Sequence, residues 1–528
     1  MQRQNKKINK LLGFLAVFAV LGLALSGCGG NSAESGGNAP VSADAAPGGE
    51  KVLRVARDWE DTSWDPVTFT GAAQLALTPQ IFETLCKLET DGSSSPLLAE
   101  SWEMSPDGLA YTFHLRRGAQ FHQGYGEMTS EDVKFSFERN LDPDTGSIHA
   151  ETLNLSNVTS IETPDPYTVV FNLASPDVDF ITRCSQYSSI IVSRAAFDAI
   201  GLEGFASTPV GTGPFAYDGG TPGVKTEAVR FADYWGAAPK LDRIVYTIIT
   251  DSNVIYSAFE NGELDVIFVY YQDKVNEYEA QGYSINYIPS DQLLYVGLNA
   301  QLDPWTDMKV REAFFHAVDP QYFLDELFYG NETFPGGYIP PISKYALTDY
   351  LKPGYDPARA KALLAEAGYP DGVDVTLWCV NDELSTAPSL IVQSQLKESG
   401  FNVELQMVDF GVFIDQVRGG TAGMWLLYNS TPPLADDTIN RYTSDFYPGS
   451  NWVGVTDPVY DALVAEGLDA STEEEKTAAF EEAQRYFLDL KALYPISTYG
   501  YHFITQPNVT GAKLWGDLAL HLNEADVG

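Results

Sequence analysis

Cysteine is scarce in this chain: Cys28, Cys86, Cys184 and Cys379 are all that 528 residues hold. With no CxxC pair and no ligand-like spacing, they make neither a disulfide framework nor a zinc site, and the last three are expected as buried or unpaired thiols. Histidine is equally thin. His114, His122, His149, His316, His502 and His521 are too dispersed to form a metal centre, so structural roles are expected. Positive charge is short as well, with 32 Lys and Arg against 72 Asp and Glu and a net charge of −40. Neutralising phosphates needs clustered cations, so nucleic-acid binding is excluded, and the excess acid reads as a solvated, self-repelling surface. Long apolar runs are limited to Leu11–Leu25, which falls short of the roughly 20 residues a spanning helix needs. No internal repeat is visible. There is no Ser-His-Asp order, zinc motif or nucleophile elbow, and carboxylate pairs cannot be found by spacing alone, so nothing supports a hydrolase. The chain is read as a non-enzyme without a cofactor.

What is present is most legible between Leu97 and Pro143. Leu109, Tyr111, Phe113 and Leu115 alternate with Thr112, His114 and Arg116, the period of a half-buried strand. Pro106, Asp107 and Gly108 supply a turn that folds Trp102 back against it. Gly118 to Gly126 reads as loop. Thr129 or Ser130 then caps a helix whose first turn carries Glu131 and Asp132 and whose face is Val133, Phe137 and Leu141.

Taken together and in order, the AESWE, YTFHLRRG, FHQG and SEDVKFSFER segments of this stretch resemble the signature of the family 5 solute-binding proteins. These are the extracellular receptors of ATP-driven importers of peptides and nickel. The resemblance implies an α/β, two-lobed periplasmic-binding-protein-like fold (type II, cluster C) with an extra small α/β domain. It also implies an ABC permease in the membrane as partner, and a small-molecule or peptide ligand held by a monomer.

The amino end agrees with an exported protein. Arg3, Lys6, Lys7 and Lys10 precede the apolar run, and Leu25-Ser26-Gly27-Cys28 closes it, as in a secretory signal with a lipoprotein cleavage box. By resemblance to bacterial lipoproteins, residues 1–27 are removed and Cys28 becomes the acylated first residue, which anchors the chain outside the cell membrane. Residues 28–50 are rich in Gly, Ser, Ala, Asn and Pro and read as a flexible tether with a reach of about 25 Å. The remainder exceeds the ~250–300 residues at which single cores stop growing. The expected division is lobe I from 51–91, 205–292 and 495–528, a small extra domain at 92–204, and lobe II at 293–494.

Further along, Lys51 to Arg57 reads as a strand, and the loop from Asp58 to Gly71 carries Trp59, Trp64 and Phe69. Ala72 to Leu88 looks helical, with Cys86 on a buried face. Tyr167, Val169, Phe171 and Leu173 alternate as a second strand. Pro209-Val210-Gly211-Thr212-Gly213-Pro214-Phe215 lacks the Lys-Ser or Lys-Thr of a phosphate loop and reads as a turn; it resembles the GTGPF segment of the family. A helix from Ser252 to Asn261 ends at Gly262, and Leu264 to Val269 reads as a buried parallel strand. Ligands of open α/β sheets lie beyond the carboxyl ends of strands, which points to Val269, Tyr270 and Tyr271. In lobe II, helical faces run through Val310, Phe314 and Ala317, from Asp319-Pro320 to Gly330, and from Asp356-Pro357 to Gly368. Another, after the capping pattern Ser471-Thr472-Glu473-Glu474, runs through Phe480, Ala483 and Phe487. The resemblance implies that the chain crosses between lobes near Leu294 and again near Pro495, two connections that make a hinge.

The expected ligand wall is Trp64, Phe268, Tyr270, Tyr295, Tyr428, Asn429, Thr431 and Tyr499, aromatic with few charges. In peptide-binding members an aspartate holds the α-amino group of the peptide, and its position here is Thr431, following Tyr428 and Asn429. A neutral Thr cannot make the charge-assisted bond of a buried ammonium. Asp436 or Asp437, from a loop redirected by Pro432-Pro433, is the alternative carrier. A peptide is the first expectation for the solute, with an oligosaccharide or a nickel chelate as alternatives. A surface sensor that acts without import would show the same sequence.

Overall fold

Alternation of large apolar side chains produces the strand it predicts. In this computed structural model, which describes residues 49–528 apart from 58–62, 69–76, 91, 148, 151, 270–271, 432 and 516–518, Tyr111, Phe113 and Leu115 are buried along Ala110–Leu115. That strand lies between Ala99–Met104 and Thr168–Leu173, with Val158–Asp165 beyond, in a four-stranded antiparallel sheet. Thr129 caps the helix Ser130–Leu141, its Oγ1 and N–H reaching Asp132 Oδ2 at 3.0 and 2.9 Å. Phe137 packs edge-on against Phe171 with centroids 4.8 Å apart. Leu141, expected on the same face, is exposed because the helix ends there.

Ten further strands form the main sheet. The order is Phe401–Val408, Val373–Val380, Met424–Ser430, Ser284–Leu298, Leu493–Thr505, Val266–Val269, Val52–Arg57, Arg243–Ile248, Lys225–Arg230 and Phe215–Thr221. The segments expected as crossings, near Leu294 and Pro495, lie in two long antiparallel strands at the centre of this sheet. Their ladder breaks between Ile288 and Gln292. Val266–Val269 is buried throughout, parallel to Val52–Arg57 on one side and antiparallel to Leu493–Thr505 on the other. Separate apolar cores hold the two halves together, one around Leu53, Phe113, Ile244 and Phe503, others around Leu294, Phe314 and Leu426 and around Tyr338, Trp425 and Phe487.

Local signals hold elsewhere too. The Ser252–Glu260 helix is capped by Asp251 and followed by Gly262 at a φ of +73°. Met308–Ala317, Pro357–Glu366 and Glu473–Asp489 are helices, and Thr472 Oγ1 accepts from Glu475 N at the start of the last. The stretch expected as one helix over 72–88 differs. Among its described residues only Thr78–Ile81 is helical, and Cys86–Leu88 is a strand paired with Ser94–Pro96. Distant backbone partners draw it out: Gly213 N–H donates to Ile81 O at 2.9 Å and Ala99 N–H to Leu85 O at 2.8 Å.

The glycines of the Gly211-Thr212-Gly213 turn answer to this contact. A Cβ on Gly211 would stand 2.0 Å from Ile81 O, so only glycine lets the two chains approach. Thr212 Oγ1, Tyr234 Oη and Trp235 Nε1 all donate to the buried Glu83 carboxylate at 2.8 to 2.9 Å. Burial pushes the Glu83 carboxyl up to about 7, although these donors and Arg116 pull the other way. Buried His122 touches the same turn through Gly213 O at 2.9 Å, and desolvation pushes its imidazole down to about 4.

Candidate functional site

The middle of the main sheet gathers part of the expected wall. Tyr428 and Asn429 lie opposite Leu294 and Leu293 on the central strand, and Tyr499 lies opposite Gln292 on its other side. The Tyr428 and Tyr499 rings approach to 4.6 Å between centroids, tilted by 55°. Thr431 is buried and its N–H donates to Asp291 O at 2.7 Å, at the point where the ladder of the two long strands breaks. Desolvation raises the Tyr428 hydroxyl pKa, and the negative charges of Glu332 and Asp382 add to it, so the phenol stays a neutral donor.

Other expected residues sit elsewhere. Tyr295 follows Leu294 on the strand and therefore points to the opposite face, where it joins the core of Trp425 and Phe487. Phe268 is opposite Phe503 within the lobe I core, and Trp64 belongs to the same core, its ring 5.7 Å from that of Tyr217 and its N–H donating to Ala206 O. Tyr270 and the acylation candidate Cys28 lie outside the described residues. Cys86, Cys184 and Cys379 are buried free thiols, and burial pushes the Cys86 thiol up to about 12.

Sequence reasoning missed Glu332. It is buried beside Tyr428 and Tyr499, and its carboxylate accepts from Thr498 Oγ1 at 2.6 Å, Gly500 N at 2.7 Å and Tyr287 Oη at 3.2 Å. Desolvation raises its pKa, against the pull of these donors. Glu332 thereby ties a lobe II loop to both long strands of the hinge. No local pattern around Asn331-Glu332-Thr333 announces this.

A cavity of about 760 Å³ is walled by Trp102, Ile181, Tyr287, Ile342, Lys344 and Pro433. Glu89, Lys344, Glu473 and several Ser and Thr side chains also line it, so its wall is mixed polar and apolar, and Tyr428, Thr431 and Tyr499 are not among the residues that border it. Asp436 is committed elsewhere: it pairs with Arg183, and Lys476 Nζ is 3.5 Å from it. Among the described residues no group of three or more His, Cys, Asp or Glu is placed to hold a metal, and no helix is long and apolar enough to cross a membrane.

A two-lobed α/β body with paired hinge strands and a cavity defines the class of periplasmic-type solute receptors. Residues 94–450 match the family model of the bacterial extracellular solute-binding proteins, family 5 (middle), and the chain belongs to that family. It is 29% identical over 481 residues to the glutathione-binding protein GsiB of Salmonella choleraesuis (strain SC-B67), covering 88% of this chain and 92% of that one. The periplasmic binding protein DppA from Helicobacter pylori, solved in complex with the peptide STSA, superposes with a TM-score of 0.75 at 26% identity, over 90% of this chain and 98% of the other. NikA from Brucella suis, solved with Fe(III)-EDTA, shares the fold with a TM-score of 0.81 at 23% identity, over 91% of this chain and 100% of that one. These relatives are binding proteins, in keeping with the reading of the chain as a non-enzyme.

Proposed function

We propose that this chain is the peptide-capturing receptor of an ABC importer, anchored outside the cell membrane through acylated Cys28 and acting as a monomer. Residues 1–27 are its leader and 28–50 its tether. Lobe I spans 51–91, 205–292 and 495–528, the small domain 92–204, and lobe II 293–494. The solute lies between the lobes and is handed to the permease when they open. The likeness to the glutathione-binding protein GsiB and to DppA, solved in complex with the peptide STSA, supports a short peptide as solute.

The observation that carries the site is the Tyr428–Tyr499 pair beside Thr431 at the break in the hinge ladder. A side chain there meets groups from both sides of the hinge, so a solute that contacts them favours the closed form. Tyr270 remains in the proposed wall, whereas Asn429 lies one alternation step from Tyr428 and Trp64, Phe268 and Tyr295 pack into the apolar cores behind it. With Thr431 neutral and Asp436 paired to Arg183, the peptide is held mainly by ring packing and backbone hydrogen bonds.

Thermal unfolding tests this with a mixed oligopeptide pool, the same pool N-acetylated, glutathione, and a nickel and oligosaccharide panel. A ligand at about 100 times its dissociation constant adds roughly 2.7 kcal/mol. The expected result is stabilisation by free and acetylated peptides alike. Stabilisation only by non-peptides overturns the peptide assignment while leaving the receptor class in place.

A further inference from the structure

The small domain and lobe II meet through a cluster of charges, of which Lys344 and Glu473 also border the 760 Å³ cavity. Asp177, Asp179 and Arg183 come from the turn and short helix Phe180–Arg183 of the small domain. Lys344, Tyr345, Asp436 and Lys476 come from lobe II. Asp179 has no exposed side-chain surface, and both of its oxygens are occupied: Lys344 Nζ reaches Oδ1 at 2.8 Å, Lys476 Nζ reaches Oδ2 at 2.6 Å, and Tyr345 Oη donates at 2.8 Å. Arg183 joins the two sides a second time, with Nε 2.9 Å from Asp177 Oδ2 and its other arm on Asp436.

The halves are complementary. Two carboxylates and one guanidinium on the small-domain side face two ammonium groups and one carboxylate on the lobe II side. Glu473 and Asp437 lie at the rim, Glu473 largely exposed and 3.2 Å from Lys344. The partners that cross between the two sides are 165 to 297 residues apart in sequence, so no local structure holds the sides together. Placing three cations and three anions out of water is stable only when each finds its partner, and separating the lobes leaves each half with a net charge of its own. Cavities lie to either side: the 760 Å³ space borders Lys344, and one of about 400 Å³ borders Arg183, Asp436 and Lys476.

We propose that this cluster is a clasp that holds the small domain against lobe II without solute, so that the receptor rests closed and must break buried ion pairs to admit its ligand. The clasp is independent of what the solute is, and its failure would leave the peptide reading standing. A ligand then shifts the equilibrium only by the contacts it adds to an already populated closed state, and entry is limited by opening.

Small-angle X-ray scattering of the protein, stripped of solute by unfolding and refolding, tests the clasp. The wild type is expected to scatter as the closed body described above, and Lys476→Met, which leaves Asp179 short of one cation, is expected to give a larger radius of gyration with an unchanged near-ultraviolet circular dichroism spectrum. If Lys476→Met does not fold, Asp436→Asn, which keeps shape and one acceptor, is read in its place and should open the protein in the same direction. A wild type that scatters as an open form without solute, or folded variants as compact as the wild type, overturns the proposal.

Discussion

Glu83 in lobe I and Asp179 at the clasp are both buried carboxylates with three donors, yet they hold protons in opposite ways. The Glu83 partners are neutral, Thr212, Tyr234 and Trp235, and burial prevails, raising its pKa to about 7. Burial works on Asp179 too, but Lys476 and Lys344 outweigh it and hold the carboxyl below its ordinary value. Neutral donors can satisfy the geometry of a buried carboxylate without balancing its charge. Glu332 follows Glu83 in this: its donors are a hydroxyl, a phenol and a backbone amide, and its pKa is raised. Of these three carboxylates, the one met by ammonium groups is held ionised, and the two met only by neutral donors are shifted towards the protonated form.

The strongest way to break the contrast is Asp179→Ala, which leaves Lys344 and Lys476 without their buried partner. The expected cost is about 3–5 kcal/mol in urea unfolding, since stranding a buried charge is among the largest single-site penalties. Glu83→Gln sharpens it next through pH. A folded pKa raised to about 7 means that the folded state keeps a proton the unfolded state has released, so the stability Glu83 lends at pH below about 4.5 is lost as pH rises towards 7. The variant lacks this loss. Its stability relative to wild type should rise by roughly 3 kcal/mol between pH 4.5 and pH 8, measured by paired melts.

Glu332→Gln keeps an acceptor for Thr498 or Gly500 but not for both, and should cost about 1–2 kcal/mol. On the binding side, Tyr428→Ala removes one ring of the proposed wall and should weaken peptide binding about tenfold by calorimetry, and because that ring also packs on Tyr499 and the Leu294 core it should lower the melt of the solute-free protein as well. Arg485→Ala provides the low end of the scale. Its pair with Glu481 is exposed on the Glu473–Asp489 helix, and about 0.3–0.5 kcal/mol is expected.

What was legible in the sequence follows chain distance. The Ala110–Leu115 strand, the Thr129 and Thr472 caps and the Gly262 terminus all arise from residues within a few positions of one another, where period and capping chemistry decide. The turn at Gly211 to Gly213 was also readable as a turn, though not why it needs glycine, because Ile81 O comes from the end of a distant short helix. The helix expected through Cys86 failed for the same reason: Ala99 and Gly213 claim its carbonyls. Within the candidate site, Tyr428 and Tyr499 meet at the centre of the sheet beside Thr431, while Tyr295 and Asn429 are each turned to the other face by one step of strand alternation.

The sequence by itself determined the family, through an ordered string of short motifs, and the local elements that those motifs build. Only the tertiary structure decided which of its many carboxylates are consumed by ion pairs and which are merely buried, because Asp179, Glu83 and Glu332 look alike as letters and differ only in the charge of the groups that distant segments fold against them.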